Sequence, residues 1–128
     1  MLTWIAEVSG NLQKYNRTPW LQKVKAILEN EYDTHHTLHS IAARVFVHPV
    51  YLANAFKKRM GLTIGEYQIG VKLEMALRLL LNTQLPIHEI AFQTGFYDSP
   101  HFVHVFKNAY QISPQEFRGT LRKLIGYN

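Results

Sequence analysis

The chain has 128 residues, 47% hydrophobic and 18% charged, a balance that suits one compact domain or two very small ones sharing a core. It contains no cysteine, which excludes disulfides, thiolate zinc sites and cysteine nucleophiles. No apolar run approaches the roughly 18 residues that span a bilayer and nothing at Met1 resembles a signal peptide, so a soluble cytoplasmic protein is expected.

Lys plus Arg number 14 against 9 acids, a net charge of +5 with neutral histidines. Residues 1–36 hold Lys14, Arg17, Lys23 and Lys25 against Glu7, Glu29, Glu31 and Asp33, which cancel. Residues 37–128 hold 10 bases against 5 acids, so the whole excess lies there. Such a localised surplus fits a polyanionic partner, although a solvated basic face has the same composition.

In chain order, Leu2, Ile5, Ala6 and Leu12 could line a frayed helix, and Asn16-Arg17-Thr18-Pro19 reads as a linker. Residues 1–18 are therefore expected to be a tail or linker from a preceding region. Thr18-Pro19 then caps a helix whose apolar stripe is Trp20, Leu21, Val24, Ile27 and Leu28. A polar loop is predicted from Asp33 to Thr37.

From there the chain repeats itself after about 50 residues. The first copy reads Ile41-Ala42, Val47, Leu52, Phe56-Lys57 and Leu62-Thr63-Ile64-Gly65-Glu66-Tyr67. The second reads Ile90-Ala91, Phe96, Phe102, Phe106-Lys107 and Ile112-Ser113-Pro114-Gln115-Glu116-Phe117. The offset is 49 at the start and 50 from Leu52 and Phe102 onward, which places one added residue near Asp98, in a turn that tolerates it.

Each copy parses into a short helix, a turn and a second helix. The short helices bury Leu38, Ile41, Ala42 and Val45 in one copy and Ile87, Ile90 and Ala91 in the other. The turns fall at Phe46-Val47-His48 and at Gly95-Phe96-Tyr97-Asp98. Gly95 suits a left-handed backbone that Phe46, at the same place, adopts less readily. The second helices start at Pro49 and near Ser99-Pro100. Their expected stripes are Leu52, Phe56 and Met60, and Phe102, Val105, Phe106 and Ala109, with Gly61 and Gln111 at the two ends.

Thr63 with Glu66 and Ser113 with Glu116 have the spacing of capping boxes, flanked by the staple pairs Leu62 with Tyr67 and Ile112 with Phe117. The helix after Thr63 is predicted to run to about Leu81, a rod of roughly 27 Å between the two units. The expected fold is all-α: two helix-turn-helix subdomains joined by a long linker helix. Residues 19–82 form the first unit with that helix and residues 83–128 the second. A helix-turn-helix unit places its second helix in the DNA major groove. Two units on a rod of this length could address successive grooves, since B-DNA repeats about every 34 Å.

The pattern Ile90-Ala91-x3-Gly95-Phe96-x-Asp98-x2-His101-Phe102-x3-Phe106-Lys107, followed by Ile112-Ser113-Pro114-x-Glu116-Phe117-Arg118, is specific in combination. His48-Pro49-Val50-Tyr51-Leu52-x3-Phe56-Lys57-Lys58 repeats its opening part. From about Thr37 to Arg118 the sequence resembles the DNA-binding domain of AraC/XylS-type bacterial transcription regulators. The resemblance implies sequence-specific binding to double-stranded promoter or operator DNA on an asymmetric site, and nucleoid association. It also brings RNA polymerase and a separate sensor or dimerisation domain into view as partners.

Helix geometry puts Val50, Ala53, Asn54 and Lys57 opposite Leu52 and Phe56, and Ser99, Pro100, Val103 and His104 on the outer face of the second copy. By the resemblance, Val50, Ala53, Asn54, Ser99, Pro100, Val103 and His104 occupy base-reading positions. Asn54 could pair with adenine and Val50 could touch a thymine methyl. Many members carry longer or cationic side chains where Asn54 and His104 stand, a departure that argues against guanine readout there. His104 keeps a donor for a base acceptor. Lys57, Lys58 and Lys107 would contact phosphates, as would the amides capped by Thr63 and Ser113, with Arg59 a weaker candidate.

Other readings compete with these. Phe56, Phe102, Phe106, Leu52 and Leu79-Leu80-Leu81 read as core, Glu74 and Arg78 as an ordinary i,i+4 pair, and Lys57-Lys58-Arg59 as solvated by default. His35, His36 and His39 cluster, and Asp98, His101 and His104 follow at i, i+3, i+6. No His-Glu-x-x-His accompanies them, and the resemblance implies that His101 packs behind the second helix, so no metal or cofactor is expected. No serine sits in a nucleophile elbow and no glycine-rich phosphate loop occurs, so an enzyme is not expected. Val50, Ala53 and Val103 are apolar on outer faces, which leaves a protein-interaction module, docking polymerase or a co-regulator, as the alternative.

Overall fold

Residues 19–126 are described by the computed structural model, and every regular element among them is a helix. In order these are α1 (Pro19–Asn30), α2 (Leu38–Val45), α3 (Pro49–Met60), α4 (Ile64–Asn82), α5 (Ile87–Gln93), α6 (Ser99–Tyr110) and α7 (Pro114–Leu124). The Thr18 cap and the readings for residues 1–17 lie outside the described residues. Helix α1 buries Trp20, Leu21, Val24 and Leu28, with Ile27 partly buried beside them. This is the stripe expected of an amphipathic helix.

The duplication is visible in backbone hydrogen bonds. After α2, Phe46 donates its N–H to Ala43 O at 3.4 Å and Val47 donates to Ala42 O at 3.0 Å. After α5, Gly95 donates to Phe92 O at 3.2 Å and Phe96 to Ala91 O at 3.1 Å. The paired bonds are those of a Schellman ending, which requires a left-handed residue. Gly95 has φ 78° and Phe46 takes φ 58° despite its side chain. The two turns match at an offset of 49, whereas α3 and α6 start 50 apart, so the added residue lies between Phe96 and Asp98. Tyr97 occupies that place and is 89% exposed, as an insertion in a turn should be.

Two apolar clusters share the 19-residue helix α4, a rod of about 28 Å. The first joins α1, Ile41, Ala42 and Val45 of α2, and Leu52 and Phe56 of α3 to Ile64 at the start of α4. The second joins Leu73, Ala76 and Leu80 of α4 to Ile90, Ala91, Phe96, Phe102 and Phe106. Burying each of these phenylalanines contributes about 2–3 kcal/mol. Rings then stack onward from Phe106 to Tyr110 at 4.7 Å and to Phe117 of α7 at 6.0 Å.

Local chemistry fixes where α4 begins. Thr63 Oγ1 accepts the Glu66 N–H at 3.0 Å while the Glu66 carboxylate accepts the Thr63 N–H at 2.8 Å, a complete capping box. At α7 only half of the expected box forms: Ser113 Oγ accepts the Glu116 N–H at 3.1 Å, with no return bond from the Glu116 side chain. Two expected core residues are also corrected. Ala109 is exposed, because the α6 stripe continues from Phe106 to Tyr110, and Leu81 is 52% exposed, because Leu79 and Leu80 of its run take the places against the second cluster. Glu74 and Arg78 pair across one turn at 3.4 Å as expected.

The segment between α1 and α2 is more than a polar loop. His36 is buried, its N–H donating to Gln68 Oε1 at 3.1 Å and its carbonyl accepting from Gln68 Nε2 at 2.9 Å. The buried Lys72 ammonium donates to the carbonyls of Tyr32 and Thr34. Burial pushes the Lys72 pKa below its ordinary value, against the pull of the Asp33 carboxylate. Helix α4 therefore straps this loop down, and the loop's backbone at Asp33 lies directly against Gly95 of the second turn. At the far end Arg118 of α7 donates to the carbonyls of Leu85 and Thr83, closing the α4–α5 connection.

Candidate nucleic-acid interface

Helix α3 buries Leu52 and Phe56 and turns Val50, Asn54, Lys57, Lys58 and Arg59 to the outside, with Ala53 half-buried among them. Val50 is 62% exposed and Tyr51 beside it 52%, so the outer side of α3 is partly apolar. The helix starts with Pro49 after His48, whose ring Nδ1 accepts the Val50 N–H at 3.2 Å. Sequence reasoning left this cap unassigned. The signal was there, since a polar side chain directly before a helix-starting proline is an N-cap position.

Helix α6 repeats the arrangement. Phe102 and Phe106 are fully buried, Pro100, His104 and Lys107 are exposed, and Ser99 and Val103 are half-buried. Its cap is Asp98, whose carboxylate accepts the His101 N–H at 2.8 Å. His101 is exposed but packs edge-on against Phe96 at 5.7 Å, in keeping with a place behind the helix. His104 bonds forward to the Asn108 amide at 3.1 Å. The structure thus groups Val50, Ala53, Asn54 and Lys57 on α3, and Ser99, Pro100, Val103, His104 and Lys107 on α6.

The phosphate candidates differ in their surroundings. Lys57, Lys58 and Lys107 are exposed in the last turns of α3 and α6. The Thr63 N–H and hydroxyl are both engaged by Glu66, and these hydrogen bonds to Thr63, with Lys57 nearby, hold the Glu66 carboxyl below its ordinary pKa. Ser113 keeps an α7 N-terminus without a bonded carboxylate. Between the halves runs a groove of about 690 Å³ lined in part by Ile69, Lys72, Phe96 and Tyr97. Among the described residues no three His, Asp or Glu side chains gather as a metal site, and no helix is long and apolar enough to cross a membrane.

Two bent helix pairs, each presenting an outer face that mixes polar and apolar side chains, hang on one shared helix, and a model described as a helix-turn-helix domain matches residues 41–120. The chain belongs to the AraC-type helix-turn-helix family. It is 34% identical over 99 residues to the Msm operon regulatory protein of Streptococcus mutans, covering 77% of this chain and 36% of that protein. It is 33% identical to the C-terminal domain of AraT, a response regulator from Geobacillus stearothermophilus, with TM-score 0.77 over 80% of this chain and 86% of that one. The DNA-binding domain of AdpA, in complex with a target DNA, shares the fold at TM-score 0.77 and 21% identity, covering 80% of this chain and 93% of that one. This AraC-type chain is a DNA-binding domain of the kind found in transcription regulators, and it spans about a third of the length of the Streptococcus mutans relative.

Proposed function

We propose that this AraC-type domain reads an asymmetric operator by placing α3 and α6 in successive major grooves on one face of the duplex, within a larger regulator. The observation that carries the reading is the pair of outward faces fixed to one continuous helix of about 28 Å, close to the pitch of B-DNA. Val50, Ala53 and Asn54 on α3 and Ser99, Pro100, Val103 and His104 on α6 are the base readers. Lys57, Lys58 and Lys107, with the first-turn amides of the helices that Thr63 and Ser113 cap, hold the phosphates. The basic surplus of residues 37–128 supplies the sequence-independent attraction.

In the same reading residues 1–18 link the domain to a sensor or dimerisation region, residues 19–82 and 83–128 are its two units, and RNA polymerase is a second partner. The domain acts without catalytic chemistry of its own, in the cytoplasm at the nucleoid. Val50 and Tyr51, both more than half exposed on α3, favour a second reading in which this face docks a co-regulator. A mobility-shift titration at rising salt separates the two. DNA reading predicts duplex affinity that falls steeply with salt, and a duplex affinity absent at low salt contradicts it.

A further inference from the structure

His104 and Asn108 stand one turn apart on the exposed face of α6, with Asn108 Nδ2 3.1 Å from His104 Nε2. With the NH2 end of the Asn108 amide, rather than its carbonyl, turned to the ring, Nε2 accepts, since an amide NH2 can only donate. A neutral imidazole has one donor and one acceptor, and accepting at Nε2 places the ring proton on Nδ1. The turn that carries Asn108 is itself pinned, because the side chain of Gln111 folds back to donate to the Asn108 carbonyl at 2.9 Å. The first unit has no such device, since Asn54 and Lys58 stand where the offset of 50 places His104 and Asn108.

We infer that Asn108 is a positioning residue that holds His104 in its Nδ1–H form, so that His104 recognises a base edge presenting an acceptor and rejects cytosine. This rests on the base-reading position assigned to His104 above. A ring free to exchange tautomers offers either a donor or an acceptor and discriminates poorly. Fixed as an Nδ1–H donor, it fits the N7 of a purine or the O4 of thymine, whereas cytosine presents its N4 hydrogens to a donor that cannot accept them. Asn108 thereby sets specificity without touching DNA.

The test joins nitrogen-15 NMR of the histidine rings, at pH 8 and without DNA, to selection from a random duplex library. In the unmodified domain the His104 proton is expected on Nδ1, and in Asn108→Ala it should shift toward Nε2. Selected duplexes should be depleted of cytosine about tenfold at one position, a bias lost in His104→Ala and in Asn108→Ala, with affinity for arbitrary duplex unchanged in Asn108→Ala. A ring protonated on Nε2 in the unmodified domain overturns the inference whatever the DNA result, as does an Asn108→Ala domain with tautomer and base bias intact. The expected tautomer combined with unaltered selection by His104→Ala would instead overturn the base-reading assignment beneath it.

Discussion

Gly95 lies so close to the backbone of Asp33 that a Cβ built on it would fall 2.6 Å from the Asp33 carbonyl oxygen. This contact seats the turn of the second unit on the loop that α4 straps into the first. It accounts for a glycine at Gly95 where the first unit carries Phe46: both residues are left-handed, but only Gly95 is crowded.

Gly95→Ala should therefore destabilise the domain by more than the about 1 kcal/mol that a left-handed backbone alone costs, because backbone must also move. Phe46→Gly, at a residue 92% exposed, should be neutral or stabilising by up to about 1 kcal/mol. Urea unfolding of the two variants checks both signs. Equal destabilisation would mean that Gly95 serves its turn and not the junction.

Lys72→Met removes the donor from the carbonyls of Tyr32 and Thr34 while keeping the bulk of the side chain. The expected cost is about 1–3 kcal/mol by chemical denaturation, with faster amide exchange in residues 31–37. Unchanged exchange there would show that Gln68 alone holds the loop.

Acid should loosen the start of α4. The folded Glu66 carboxyl lies below its ordinary pKa chiefly through its bond from the Thr63 backbone, and the Glu31 carboxyl is lowered by Arg44, which it meets at 2.7 Å. Both contributions are complete above the ordinary carboxylate range and are lost as pH falls through the lowered folded values. Melting curves across pH 7 to 3 should show stability falling, and Glu31→Gln/Glu66→Gln should flatten that dependence. The same slope in the variant would assign the acid sensitivity elsewhere.

On DNA, Asn54→Ala should cost about 1–3 kcal/mol on the selected site and little on arbitrary duplex. Lys57→Ala should weaken both alike and lower the salt slope by about one. Competition binding at two salt concentrations separates these roles, and a uniform loss for Asn54→Ala would remove it from the base readers.

The helices were legible because local signals agreed. Pro49, the Thr63–Glu66 box and the Leu52/Phe56 stripe each point to the same boundaries. The offset change from 49 to 50 placed the added residue near Asp98, and the turn hydrogen bonds narrow it to Tyr97. What the sequence hid is tertiary: nothing around His36 or Lys72 marks them as buried, because Gln68 and the Tyr32 carbonyl, which hold them, lie 32 and 40 residues away. Arg118 likewise stands in a recognisable motif, yet its work on the carbonyls of Thr83 and Leu85 depends on how α7 packs. The outer faces of α3 and α6 were readable as faces, while the His104–Asn108 pairing needed rotamers.

The most direct measurement is a hydroxyl-radical footprint of the domain on a duplex chosen by random selection. Two protected patches about ten base pairs apart on one face of the helix are expected, with His104→Ala altering only the patch under α6. A single patch of one half-site, or two patches on opposite faces, would contradict the placement of both helices in successive grooves.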